Sequence, residues 1–210
     1  MNTIDNDLLE TFVKEAKSLF DRGYVTGSAG NMSALLSDGS VVATPSGSSF
    51  GNLDINKLSI VDIDGNIISG PKPTKEIKFH LEIYKNNKSS KAVVHLHSTY
   101  CTALSCIENL PKDNVLKAFT PYVVMKMGEI PLINYYKPGS ELIAQDIATL
   151  AHNHKAFLLA NHGPITTGSS IKSAINNMEE FESTAKVFFI LKSANVPIKY
   201  LTDNELKELL

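Results

Sequence analysis

The stretch "KAVVHLHSTYCTALSC", residues 91 to 106, carries two histidines, His95 and His97, two positions apart in an otherwise apolar run. Side chains of a strand alternate between its faces, so His95 and His97 fall on one face with Leu96 turned to the other. Two imidazoles side by side in an apolar layer must each find a partner or bear a desolvation cost, and one shared metal ion satisfies both. A third imidazole, His162, stands in "LLANHGPI", directly after an apolar run and before Gly163-Pro164, where a side chain can point into a cleft. Three imidazoles are enough for a catalytic zinc that keeps positions open for substrate. Taken singly, each would read as a hydrogen-bonded core residue; the pair on one strand face argues for the metal. His80 differs, because it falls in a helical pattern. His152 and His154 differ too, since they sit at the end of a predicted helix, where the macrodipole suits a cation.

Glu76, opening a helix after "PKPTKE", is a candidate general base, although an acid in a first turn is often only a dipole partner. The residues before it, Pro73, Thr74 and Lys75, combine free backbone N–H groups, a hydroxyl and an ammonium, a turn suited to an anion. Arg22 is the only arginine in the sequence, so an anion must be held by lysines, hydroxyls and backbone N–H groups rather than by guanidinium forks. Two loops have that character, "TGSAGNMS" (26 to 33) and "TPSGSS" (44 to 49). The first resembles a dinucleotide loop only superficially, because strand-like residues follow it where that fold requires a helix.

These residues need a scaffold, and the chain of 210 residues, 43% hydrophobic with a net charge of -2, is expected to form a single domain over 1–210 with one substantial core. That charge, without a dense basic run, disfavours nucleic acid as a partner. No apolar window approaches a membrane span, and the amphipathic, charged N-terminus does not read as a signal peptide, so a cytoplasmic protein with no membrane partner is expected. Cys101 and Cys106 are read as small buried residues. The elements expected are a first helix capped by Asp5 or Asn6 and ending at Gly23, and hairpins around Asp38-Gly39 and Asp64-Gly65. A helix capped by Thr74 follows, then a strand at 92–97 and helices at about 99–108 and 139–153. The strand "AFLLA", a turn "NHGPITTG" and a long helix from Ser169 to about Ala194 complete the chain. Strands and helices mix without strict alternation, which implies helices layered around a partly antiparallel sheet.

The motifs "SAGNMS", "TPSG", "KPTKE…H", "VVHLHSTYCTALS" and "LLANHG", in this order, resemble the class II aldolase/adducin family. The resemblance implies an α/β fold, a three-layer α/β/α sandwich with a mixed, largely antiparallel central sheet. It further implies a homotetramer with active sites between subunits and one Zn2+ per subunit held by His95, His97 and His162. Other divalent metals also suit such a site. By the same resemblance Glu76 is the acid/base and can touch the metal when substrate is absent, and Gly30, Asn31, Ser46, Gly47 and Thr74 line a phosphate pocket.

The sugar-phosphate aldolases of the family usually have two serines before that glutamate, whereas this chain has Thr74-Lys75. With "TPYVVMKMG" and "NYYKPGS", this looks more like the branch of 3-oxo-tetronate 4-phosphate decarboxylases. The implied reaction converts a small phosphorylated sugar acid to dihydroxyacetone phosphate and CO2 through a zinc-stabilised enediolate, with Glu76 returning a proton to carbon and Lys75 placing a carboxylate or phosphate. An aldolase of the L-fuculose-1-phosphate type shares that enediolate but needs an acid for the leaving oxygen. Tyr122 from a neighbouring subunit could supply it, or could be a packed aromatic. The epimerase branch has a further histidine and tyrosine in its C-terminal tail, and no histidine follows His162 here. Adducin-like binding modules lack the metal histidines, which are present in this chain.

Overall fold

The computed structural model describes residues 3–209. Helix α1 (Thr3–Asp21) opens the chain, and its Leu9, Phe12, Ala16 and Leu19 form a buried stripe at helical spacing. Asp5 lies inside this helix and is not its cap; its carboxylate accepts hydrogen bonds from Ser37 N at 3.0 Å and Ser37 Oγ at 2.8 Å, tying α1 to the first hairpin. Two hairpins follow as expected, β1 (Asn31–Leu35) with β2 (Val41–Ala43) and β3 (Ser59–Val61) with β4 (Ile67–Ser69). Helix α2 (Ile77–Asn86) begins two residues later than a Thr74 cap would place it, with Glu76 as the capping residue; the hydroxyl of Thr74 still accepts from Glu76 N at 3.3 Å.

The central strand β5 (Ala92–His95) leads through a short turn to α3 (Thr99–Ser105). After α4 (Pro121–Met127) and the two-residue strand β6 (Leu132–Ile133) come α5 (Glu141–Leu150) and β7 (Ala156–Leu159). The segment expected to be a turn is instead strand β8 (Gly163–Gly168), with the turn confined to the residues just before it. Its Pro164 sits inside the sheet, where its carbonyl still accepts from Leu96 N at 3.3 Å. Helix α6 (Ile171–Ser193) and the short α7 (Asp203–Lys207) finish the chain.

Among the described residues the strands form one eight-stranded sheet in the order β4-β3-β2-β1-β5-β8-β7-β6, antiparallel except for the β6–β7 pair. On one face Met32, Ala34, Ala92 and Val94 pack against α1 and the start of α6. On the other, Val93, Phe157 and Ile165 pack against α2 and α5. A third cluster joins α3, α4 and the second half of α6 over Ala156 and Leu158. The fold is thus the three-layer α/β/α sandwich with a mixed, largely antiparallel sheet. Cys101 is buried, but Cys106 is exposed at the end of α3 rather than packed in the core. No helix among the described residues is long and apolar enough to cross a membrane.

Candidate metal centre and anion cleft

Strand alternation decides what gathers at the middle of the sheet. Asn31 pairs with His95 across β1 and β5, and Ser33 pairs with Val93, so these residues share the face that α2 covers. His95 is fully buried, and its Nδ1 lies 2.9 Å from the carbonyl of Pro164 on β8. A carbonyl only accepts, so the proton is on Nδ1 and the Nε2 lone pair is free. The ladder ends at His95, yet Leu96 turns into the opposite core and the His97 ring returns to within 5.1 Å of the His95 ring.

His162 closes the cluster from the turn before β8. Its Nε2 lies 3.0 Å from His97 Nε2, and its ring centroid is 4.8 Å from those of both His95 and His97. Two glycines permit this crowding. A Cβ on Gly163 would stand 2.4 Å from the Leu96 carbonyl, and one on Gly30, whose φ is +75°, would stand 2.9 Å from the His95 carbonyl. Helix α3 anchors the same turn, since Ser105 Oγ accepts from His162 N at 3.1 Å. Glu182 of α6 holds α3 in turn, accepting from Ser98 Oγ at 2.7 Å, Tyr100 N at 2.8 Å and Cys101 N at 2.9 Å.

The ligand atoms of His95, His97 and His162 lie within 4.8 Å of one another. Ligands about 2.1 Å from a tetrahedral cation stand about 3.4 Å apart, so this spacing suits a single ion. Burial pushes the pKa of His95 down from 6.5 to about 4 and lowers those of His97 and His162 as well. The rings are therefore neutral near pH 7, the state that ligates metal. Two buried polar atoms facing the cluster have no hydrogen-bond partner, His95 Nε2 and Glu76 Oε1. A cation between them would satisfy both, so the residues present fit a metal.

Glu76 approaches from the start of α2, with Oε2 3.4 Å from His95 Nε2 and Oε1 3.7 Å from His162 Nε2. Burial disfavours its charge, but the facing His95 and His162 and the hydrogen bond from Asn31 outweigh that and hold its pKa below the usual value. Outside the cluster opens a cleft of about 280 Å3. Of the residues expected there from the sequence, Gly30, Asn31, Ser46, Gly47, Thr74, Lys75, Glu76, His97 and His162 line it. The two loops expected to hold an anion are drawn together by backbone bonds, Thr74 N to Thr44 O at 3.0 Å and Ser46 N to Lys72 O at 2.9 Å.

Tyr122 does not line this cleft, and on α4 it is 60% exposed rather than packed. Pro138 and Gly139 do line it, unforeseen by the chemistry of their side chains; the Lys-Pro-Gly-Ser turn was their only signal. His80 is buried on the inner side of Asn31, and His154 is engaged with the Glu129 carbonyl at 3.1 Å.

The family model for the class II aldolase and adducin N-terminal domain matches residues 10–189. The chain belongs to the class II aldolase and adducin family. Within that family it is 56% identical over 206 residues to the 3-oxo-tetronate 4-phosphate decarboxylase of Escherichia coli (strain K12), spanning 98% of this chain and 96% of that one. It is 39% identical over 188 residues to the L-fuculose phosphate aldolase of Methanococcus maripaludis, spanning 89% of this chain and 98% of that one. The crystal structure of YgbL from Escherichia coli superposes with a TM-score of 0.96 at 55% identity, covering 99% of both chains.

Proposed function

We propose that this class II aldolase family member, folded as one domain, is a carboxy-lyase that converts a 3-oxo-tetronate 4-phosphate to dihydroxyacetone phosphate and CO2. The observation that carries this reading is the pairing of the His95-His97-His162 cluster and Glu76 with an arginine-free anion cleft, in a chain 56% identical to a decarboxylase of that name. The hydroxyls and backbone N–H groups of Ser46, Gly47 and Thr74, with the Lys75 ammonium, would bind the phosphate and carboxylate ends of the substrate. The C1–C2 bond breaks as CO2 leaves, and its electron pair moves toward the C3 oxygen. A divalent cation held by His95, His97 and His162, zinc in this reading, supplies a Lewis acid for the charge that collects on that oxygen. Glu76, ionised at rest, takes up a proton from solvent and delivers it to C2, which completes the hydroxymethyl group of the product.

The same reading makes the protein a cytoplasmic homotetramer with sites between subunits. The exposed Tyr122 then belongs to a neighbour's site. The test is to offer a 3-oxo-tetronate 4-phosphate and L-fuculose 1-phosphate in parallel. CO2 and dihydroxyacetone phosphate from the first, with no aldehyde from the second, is the expected result. Aldehyde release would assign the aldolase reaction instead.

A further inference from the structure

A buried chain of hydrogen bonds runs inward from Glu76, and its direction is fixed at one end. Asn31 Nδ2 lies 2.8 Å from Glu76 Oε2, and a carboxylate oxygen accepts, so the amide NH2 faces Glu76. The amide oxygen is then turned to His80, whose Nε2 is 2.6 Å away and must donate. With its proton on Nε2, His80 accepts at Nδ1 from Ser33 Oγ at 2.8 Å, and Ser33 Oγ accepts in turn from Tyr84 OH at 2.8 Å. His80 is fully buried, stacks on Phe79 at 4.5 Å and does not line the cleft. The spacing explains the geometry: His80 lies four residues after Glu76 and so on the same side of α2, while Asn31 and Ser33 face α2 from β1.

We propose that His80 is a positioning residue that locks the Asn31 amide, so that Glu76 Oε2 accepts from Asn31 while Oε1, without a hydrogen-bond partner and 3.7 Å from His162 Nε2, is the oxygen left open to react. Reversing the chain would require the Asn31 amide to flip and His80 to move its proton to Nδ1, toward the Ser33 hydroxyl. Each flip breaks a buried hydrogen bond unless all move together. The fixed donor order thus commits Glu76 to one rotamer and one reactive oxygen. This inference rests on the reading of Glu76 as the proton carrier, but its geometric half is independent of any reaction.

Two measurements test it. Neutron diffraction from deuterium-exchanged crystals of the metal-free protein should show deuterium on His80 Nε2 and on the Asn31 amide nitrogen facing Glu76; deuterium on His80 Nδ1 overturns the proposal whatever the activity. Turnover in D2O adds the functional readout, because a carboxyl held in one rotamer delivers deuterium to a single face of C2. His80→Phe should lower kcat per bound metal by about 10- to 100-fold and yield both enantiomers of the monodeuterated product. His80→Gln, which keeps a donor near the Nε2 position, should restore single-face delivery and most of kcat. His80→Phe with kcat and stereochemistry unchanged overturns the proposal, as does His80→Gln impaired to the same degree as His80→Phe. Should His80→Phe fail to fold, Ser33→Ala, which frees Nδ1, takes its place: lowered kcat with both enantiomers supports the proposal, and unchanged kcat and stereochemistry overturn it. A racemic hydroxymethyl group from the unsubstituted enzyme would refute Glu76 as proton carrier, while the neutron result still decides the placement of His80.

Discussion

His95 donates from Nδ1 to the carbonyl of Pro164 across 2.9 Å, and this one bond settles which nitrogen of the central histidine is open to a metal. Because Pro164 sits in β8 directly after Gly163, the same two residues that place His162 also fix the tautomer of His95.

Gly163→Ala is therefore expected to harm both folding and the metal site. A methyl group 2.4 Å from the Leu96 carbonyl must push β8 from β5, at a cost of about 3 kcal/mol or more. Urea unfolding of the metal-free protein checks the stability, and zinc titration by calorimetry should show affinity weakened by at least about tenfold.

Glu76→Gln keeps the size of the side chain and an amide oxygen to face Asn31, but removes the carboxyl proposed to carry the proton. Steady-state turnover is expected to fall about 10^2- to 10^4-fold while the protein remains folded. A variant within a few-fold of the original kcat would remove Glu76 from the chemistry.

The metal-free protein should lose stability on mild acidification. Burial lowers the pKa of His95 from 6.5 to about 4 and that of His80 to about 3. Below pH 6.5 the unfolded chain takes up protons that these folded rings refuse, so stability is full above that pH and falls as pH drops toward about 4. The slope is about 1.4 kcal/mol per pH unit for each histidine, readable in urea titrations at pH 7, 6 and 5. Saturating zinc should protect the folded state through the upper part of this window.

Glu182→Ala tests the anchoring of α3. Losing an acceptor shared by Ser98, Tyr100 and Cys101 should cost about 2 kcal/mol or more of stability. Since His97 immediately precedes Ser98, zinc affinity should weaken with it.

The site was legible where local rules decide it. Period-two alternation set His95 and His97 on one side of the sheet, and an arginine-free pattern of glycine and hydroxyls marked two loops that do line the cleft. Strand β8 was not legible, because Gly163, Pro164 and Gly168 carry turn propensities that tertiary pairing with β5 and β7 overrides. Helices α4 and α7 and strand β6 are too short for a periodic signal. The role of His80 was also hidden: its position on α2 four residues after Glu76 is visible in the sequence, but its partners on β1 emerge only once the sheet is formed.

Turnover is expected to depend on one divalent cation gripped jointly by His95, His97 and His162. Elemental analysis of the purified chain and of His95→Ala, read beside CO2 release, tests this most directly. One metal ion per chain is expected in the first, with turnover lost on chelation and restored by zinc, and less than about a tenth of an ion per chain in the second. Equal metal content in the two proteins, or undiminished CO2 release from fully stripped enzyme, would contradict it.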